Sequence, residues 1–149
     1  MNSHSFTDRC SVEHVDAGIL SEESVRDQLS AAEELCYIGH QEPALVAAGA
    51  ALEGALRRRG AALAGEHASV GALLEALLAT GVLHDDEYEL VGITLNARDR
   101  LAQGYAPLIC EATEPDLLSA VLALTHRLLE AVVPFALAST GNGSLPRVR

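Results

Sequence analysis

Between Pro43 and Leu56 the chain reads PALVAAGAALEGAL, a stretch interrupted by one charge, Glu53. Wound into a helix, this segment has no polar side to turn to water, so it must be packed against neighbours on several faces. It is therefore expected to be the central helix of whatever the chain folds into. Ala47, Gly49, Ala51 and Gly54 within it are small enough to let neighbouring backbones come close. Glu53 is the exception that has to be met. A carboxylate in apolar surroundings is costly unless a cation or several donors reach it, so the sequence demands a partner for it.

The rest of the chain supplies helices to surround such an element. Ala and Leu dominate, Tyr and Phe number three and two, and β-branched residues form no alternating runs from which strands could be built. Ser21 followed by Glu22 and Glu23 predicts a helix start, with Val25, Leu29, Ala32, Leu35, Cys36 and Ile38 at helical spacing until Gly39. The central helix is expected from Glu42-Pro43 to Gly60. Ser69 caps a short Leu-rich helix that ends at Thr80-Gly81. The acidic run His84-Asp85-Asp86-Glu87 opens a fourth, with Leu90, Val91, Thr94, Leu95, Arg98, Leu101 and Ala102 on its apolar stripe. Thr113, Pro115 and Asp116 open a fifth, through Leu117, Val121, Leu124, Leu128 and Val132, with Pro134 as its stop. The expected fold is all-α, a single helical bundle of about five helices over residues 19–138. Segments 1–18 and 139–149 are expected to be disordered.

Size and charge narrow the function classes. A chain of 149 residues supports one well-buried core. Its ten basic residues are all Arg, against 21 acidic ones, for a formal net charge of −11. That balance excludes broad nucleic-acid binding through a basic face, which needs many phosphate-neutralising cations, and leaves room for a local Arg cluster. The polar N-terminus does not read as a leader and no apolar run is long enough to span a bilayer, so a cytoplasmic protein with no membrane partner is expected. Cys10, Cys36 and Cys110 form no CxxC pair and read as reduced thiols. Cys10 and His14 do not make a zinc site, and neither metal nor cofactor is expected.

Two charges fall on packed faces. Arg98 is in register with Val91, Thr94, Leu95 and Leu101, so it and Glu53 are predicted to form a structural ion pair joining the second and fourth helices. Arg57, Arg58 and Arg59 end the central helix, where cations suit the helix dipole. If Arg57 or Arg58 lies beside Arg98, an acidic protein gains one phosphate-sized site.

The segments ALEGALR (Ala51 to Arg57), SVGALLEALLATGVL (Ser69 to Leu83) and LNARDRLAQGY (Leu95 to Tyr105) together resemble the HEPN superfamily of small helical proteins. The family's signature is an Arg, often followed by Asn or Asp, then four to six residues and a His, frequently before Gly. Arg98, Asp99 and Gly104 match it, and Gln103 stands where the His belongs. The resemblance implies a homodimer in which Arg and His of two protomers cleave RNA without metal, the 2′-hydroxyl attacking its own phosphate. That chemistry needs a proton acceptor that works near neutrality and a cation for the developing charge. Arg98 supplies the cation. The Gln103 amide can hydrogen-bond a phosphate or base but cannot be the general base. Asp99, about 100° from Arg98 around the helix, is a weak base, and Tyr105 is no better replacement. His84 reads as a residue ahead of a helix, and His126 sits beside Arg127 on the last one.

The expected function is thus a HEPN-like domain, dimeric and ribonuclease-inactive, that acts as a nucleotide- or RNA-binding or regulatory module. Its degenerate catalytic positions are Arg98, Asp99 and Gln103, and Arg98, Arg58 and Tyr105 are its candidate phosphate or nucleotide contacts. One alternative is an active metal-independent endoribonuclease of a toxin-antitoxin or defence system that uses another proton acceptor. The other is a purely structural dimerisation or protein-interaction domain.

Overall fold

The computed structural model describes residues 18–106 and 115–130. They form five helices in chain order: α1 (Glu22–Tyr37), α2 (Gln41–Ala64), α3 (Val70–Ala79), α4 (Asp85–Ala102) and α5 (Pro115–Glu130). There is no strand among the described residues, and the all-α bundle expected from the sequence is what forms. No helix among them is long and apolar enough to cross a membrane. Cys10, His14, Cys110, Thr113, Val132, Pro134 and the two terminal segments 1–17 and 139–149 lie outside the described residues.

α2 packs against each of the other four helices, as its lack of a polar face requires. Ala44, Ala48, Ala51, Leu52, Ala55 and Leu56 from α2 meet Val25, Leu29 and Ala32 of α1, Leu74 and Leu77 of α3, Val91 and Leu95 of α4, and Leu118, Val121, Leu124 and Leu128 of α5. The helices begin where their caps sit. The Ser21 hydroxyl accepts from the Ser24 N–H at 3.1 Å, and the Ser69 hydroxyl from the Ala72 N–H at 3.2 Å. At the start of α4 the Glu87 carboxylate accepts the His84 N–H at 2.9 Å. Glu87 also receives Arg127 of α5 at 2.6 Å, while the same guanidinium reaches the Val82 carbonyl at 3.2 Å. One arginine thereby ties α5 to the turn between α3 and α4. His126, beside it on α5, pairs with Glu33 of α1.

The central helix departs from expectation at its C-terminal end. It runs through Gly60 to Ala64 and stops at Gly65, whose φ of 92° is the left-handed conformation that ends it. Gly60 serves packing instead. A Cβ there would come within 2.6 Å of Leu73 Cδ2 on α3. Two other glycines of α2 admit other neighbours: a Cβ at Gly54 would meet Val25 Cγ2 of α1 at 2.8 Å, and one at Gly49 would meet Arg98 Cδ and Cβ of α4 at 2.9 and 3.0 Å. Each of these three helices thus approaches α2 at a position without a side chain.

The consequence is measurable at two glycines of opposite character. Gly92 is exposed in α4 with open space around its missing Cβ. Gly92→Ala should raise stability by about 0.5–1 kcal/mol through helix propensity alone. Gly49→Ala gains the same propensity but drives its methyl into the Arg98 stem, and should lower stability by about 1–2 kcal/mol. Urea denaturation of the two variants beside the parent checks both signs.

Candidate functional site

Arg98 reaches α2 because its aliphatic stem crosses the helix at Gly49, where no side chain blocks it. Its Nη1 then donates to Glu53 Oε2 at 2.6 Å and to the Gly49 carbonyl at 3.4 Å. Its Nε and Nη2 both donate to Asp99 Oδ1, at 2.9 and 2.6 Å. Four of its five N–H donors are therefore engaged. Although Asp99 leaves α4 about 100° round from Arg98, the arginine is long enough to turn its outer edge to the neighbouring carboxylate.

Glu53 holds a second arginine. Arg57, one turn on, donates from Nε at 3.0 Å and from Nη2 at 2.8 Å to Glu53 Oε1, and its Nη1 donates to the Ala68 carbonyl at 3.1 Å. One carboxylate is thus shared between two guanidiniums from different helices, and Arg57 also fastens the turn that leads into α3. Burial pushes the Glu53 carboxyl up, but hydrogen bonds and charge from Arg98 and Arg57 outweigh it and hold the group below its ordinary value. Burial likewise works against the charged form of Arg98, and the bonds from Glu53 and Asp99 more than compensate, raising its pKa.

Glu53, Arg57 and Arg98 form the floor of a cleft of about 660 Å³, a size common among small-molecule sites, while Asp99 stays outside its lining. One wall is Gly18 to Leu20, the other Glu66 to Ser69, and Gln28 enters from α1. The Gln28 Oε1 is buried without a hydrogen-bond partner. His67 also lines this cleft, on the turn between α2 and α3. Nothing in the spacing around Arg98 pointed to either residue, since both come from elements distant in sequence and neither sits in a motif.

The other candidate residues stand apart from the floor. Arg58 donates to the Leu20 carbonyl at 3.3 Å and lies 3.6 Å from Glu22, so it is Arg57, not Arg58, that joins Arg98 through Glu53. Gln103 is the exposed C-cap of α4, its N–H bonded to the Asp99 carbonyl, and Gly104 follows with φ 83°. Tyr105 is exposed and stacks under Arg100, whose guanidinium carbon lies 5.7 Å from the ring centroid. Among the described residues no group of three His, Cys, Asp or Glu side chains is arranged to hold a metal ion.

Fold and site together define a small helical domain with an arginine–carboxylate floor in an open cleft. Compared with models of known protein families, with curated proteins and with solved structures, the chain matches none of them.

Because the folded Glu53 carboxyl is held below the value of 4.5 it has when free, it stabilises the fold fully above that pH, and the stabilisation is lost as pH falls through the lower folded value. Glu53→Gln should lower stability at pH 7 by about 2 kcal/mol, less than the loss of a partner in a fully buried pair because Glu53 is partly exposed. The gap between parent and variant should close on acidification below pH 4.5. Denaturation midpoints measured across pH check this; a gap that stays constant would mean the carboxylate's charge is not what stabilises the junction.

Proposed function

We propose that the chain is a HEPN-like helical module, dimeric and without ribonuclease activity, that binds RNA or a nucleotide at the Arg98 edge of its cleft. The observation that carries this reading is Arg98, a cation with its outer edge toward solvent-exposed Asp99, followed five residues on by Gln103, the exposed C-cap of α4. The Arg98 guanidinium is of the type that holds a phosphate, and the position from which the family's proton acceptor would act carries an amide. The cleft beside Arg98 is large enough for a nucleotide.

Labelled RNA incubated with the protein in EDTA is expected to stay intact. Gln103→His should introduce slow cleavage, and that cleavage should vanish when Arg98→Ala is added. Robust metal-independent cleavage by the parent protein, lost in Arg98→Ala, would overturn the inactive reading.

A second reading rests on His67. It lines the same cleft as Arg98 and carries an imidazole, the side chain that most readily exchanges a proton near neutrality. It supports an active ribonuclease in which His67 replaces the missing residue. Under that reading His67→Ala abolishes cleavage by the parent protein and leaves its denaturation curve unchanged.

A further inference from the structure

The arginine–carboxylate cluster is electrically balanced, with Arg57, Arg98 and Glu53 in the lining of the cleft and Asp99 outside that lining. Arg57 and Arg98 bring two guanidiniums, and Glu53 and Asp99 answer them with two carboxylates. The two carboxylates are held very differently. Glu53 has a side chain 23% exposed and takes Arg57 on Oε1 and Arg98 on Oε2. Asp99 is 56% exposed and touches Arg98 through one oxygen, which accepts from both Nε and Nη2. Those two N–H groups form the outer edge of the guanidinium, the fork geometry that suits a phosphate as well as a carboxylate.

We propose that Asp99 is a built-in competitor for the phosphate, occupying the outer edge of Arg98 until a phosphate ester displaces it. The inference rests on the reading that Arg98 binds a phosphate, and adds how that binding is restrained. Asp99 can turn into water at little cost because it is already half solvated and makes an exposed type of ion pair. Glu53 cannot leave without stranding Arg57 and Arg98 together. With Asp99 displaced, the cluster carries one net positive charge, two guanidiniums against the Glu53 carboxylate, matched to one phosphodiester or one singly charged phosphate group. With Asp99 in place it carries none. The result is a site on a strongly acidic protein that accepts a phosphate only in exchange for its own carboxylate, which keeps weakly bound anions out and makes affinity depend on how well the rest of the ligand fits the cleft.

The test measures binding of a short fluorescein-labelled oligouridine and, separately, of adenosine monophosphate, to the full chain at low ionic strength. Oligouridine is followed by anisotropy and the mononucleotide by calorimetry, so that polymer and free nucleotide are distinguished. Asp99→Asn should tighten binding about three- to fivefold. Asp99→Ala, which also removes the amide's residual hydrogen bond, should tighten it at least as much. Adding Arg98→Ala to either variant should abolish the gain. Asp86→Asn, the same charge change at the far end of α4, should leave affinity within about twofold, as expected for a screened distant charge. If the parent binds and both Asp99 variants bind no tighter, Asp99 is not a competitor and the proposal fails while the binding reading stands. If neither the parent nor any Asp99 variant binds either ligand, the phosphate-binding reading fails and takes the proposal with it.

Discussion

Glu53 is the charge on which the arrangement of the bundle turns. It sits midway along a helix that every other helix touches, and its two oxygens take two arginines, one from α2 itself and one from α4. Remove it and Arg57 loses the anchor that lets it hold the Ala68 carbonyl, so the turn into α3 loosens. Arg98 then keeps Asp99 and the Gly49 carbonyl but no longer has a reason to cross α2. The carboxylate is tolerable at this depth because its neighbours are small. Gly49 lets the Arg98 stem lie on the α2 backbone, and Gly54, one residue after Glu53, lets Val25 close in from α1. Small residues and the half-buried charge are two parts of one solution.

Much of the fold is readable from the residues because it follows from periodicity and caps. The centrality of α2 follows from the absence of a polar face, and the starts of α1 and α3 follow from Ser21 and Ser69. Gly60 shows where such reading stops. A glycine that ends a helix and one that admits a neighbour's side chain look alike in sequence; they differ in φ and in what lies opposite, here Leu73. The run Ala61 to Ala64 after it is a good helix former, and the helix ends at the next glycine, Gly65.

The site is legible in the same uneven way. Charges on apolar faces stand out, which is why Glu53 and Arg98 are visible as partners in the sequence itself. The choice between Arg57 and Arg58 is not, because adjacent helical residues differ by about 100° and either could have faced α4. Asp99 is hidden for another reason: its contact depends on how a long, flexible arginine bends back along its own helix, which spacing does not encode. His67 and Gln28 reach the cleft from a turn and from α1, and only the tertiary packing brings them beside Arg98.

The absence of lysine gains a physical meaning in this setting. Arg57, Arg58, Arg98 and Arg127 each bridge a carboxylate and a backbone carbonyl: Glu53 and Ala68, Glu22 and Leu20, Glu53 and Gly49, Glu87 and Val82. A guanidinium does this because its donors are spread over a rigid plane, whereas an ammonium concentrates its charge at one strongly hydrated point. In a protein of net charge −11, carboxylates are plentiful and cations are few. Using these four cations to fasten two groups at once keeps helix junctions closed with few positive charges. Among the described residues these four arginines are turned to carboxylates and carbonyls of the chain itself. Any anion that binds here has to win a guanidinium edge from a carboxylate of the protein itself, and among the four bridging arginines Arg98 is the one that both lines the cleft and holds a second, exposed carboxylate that can be given up.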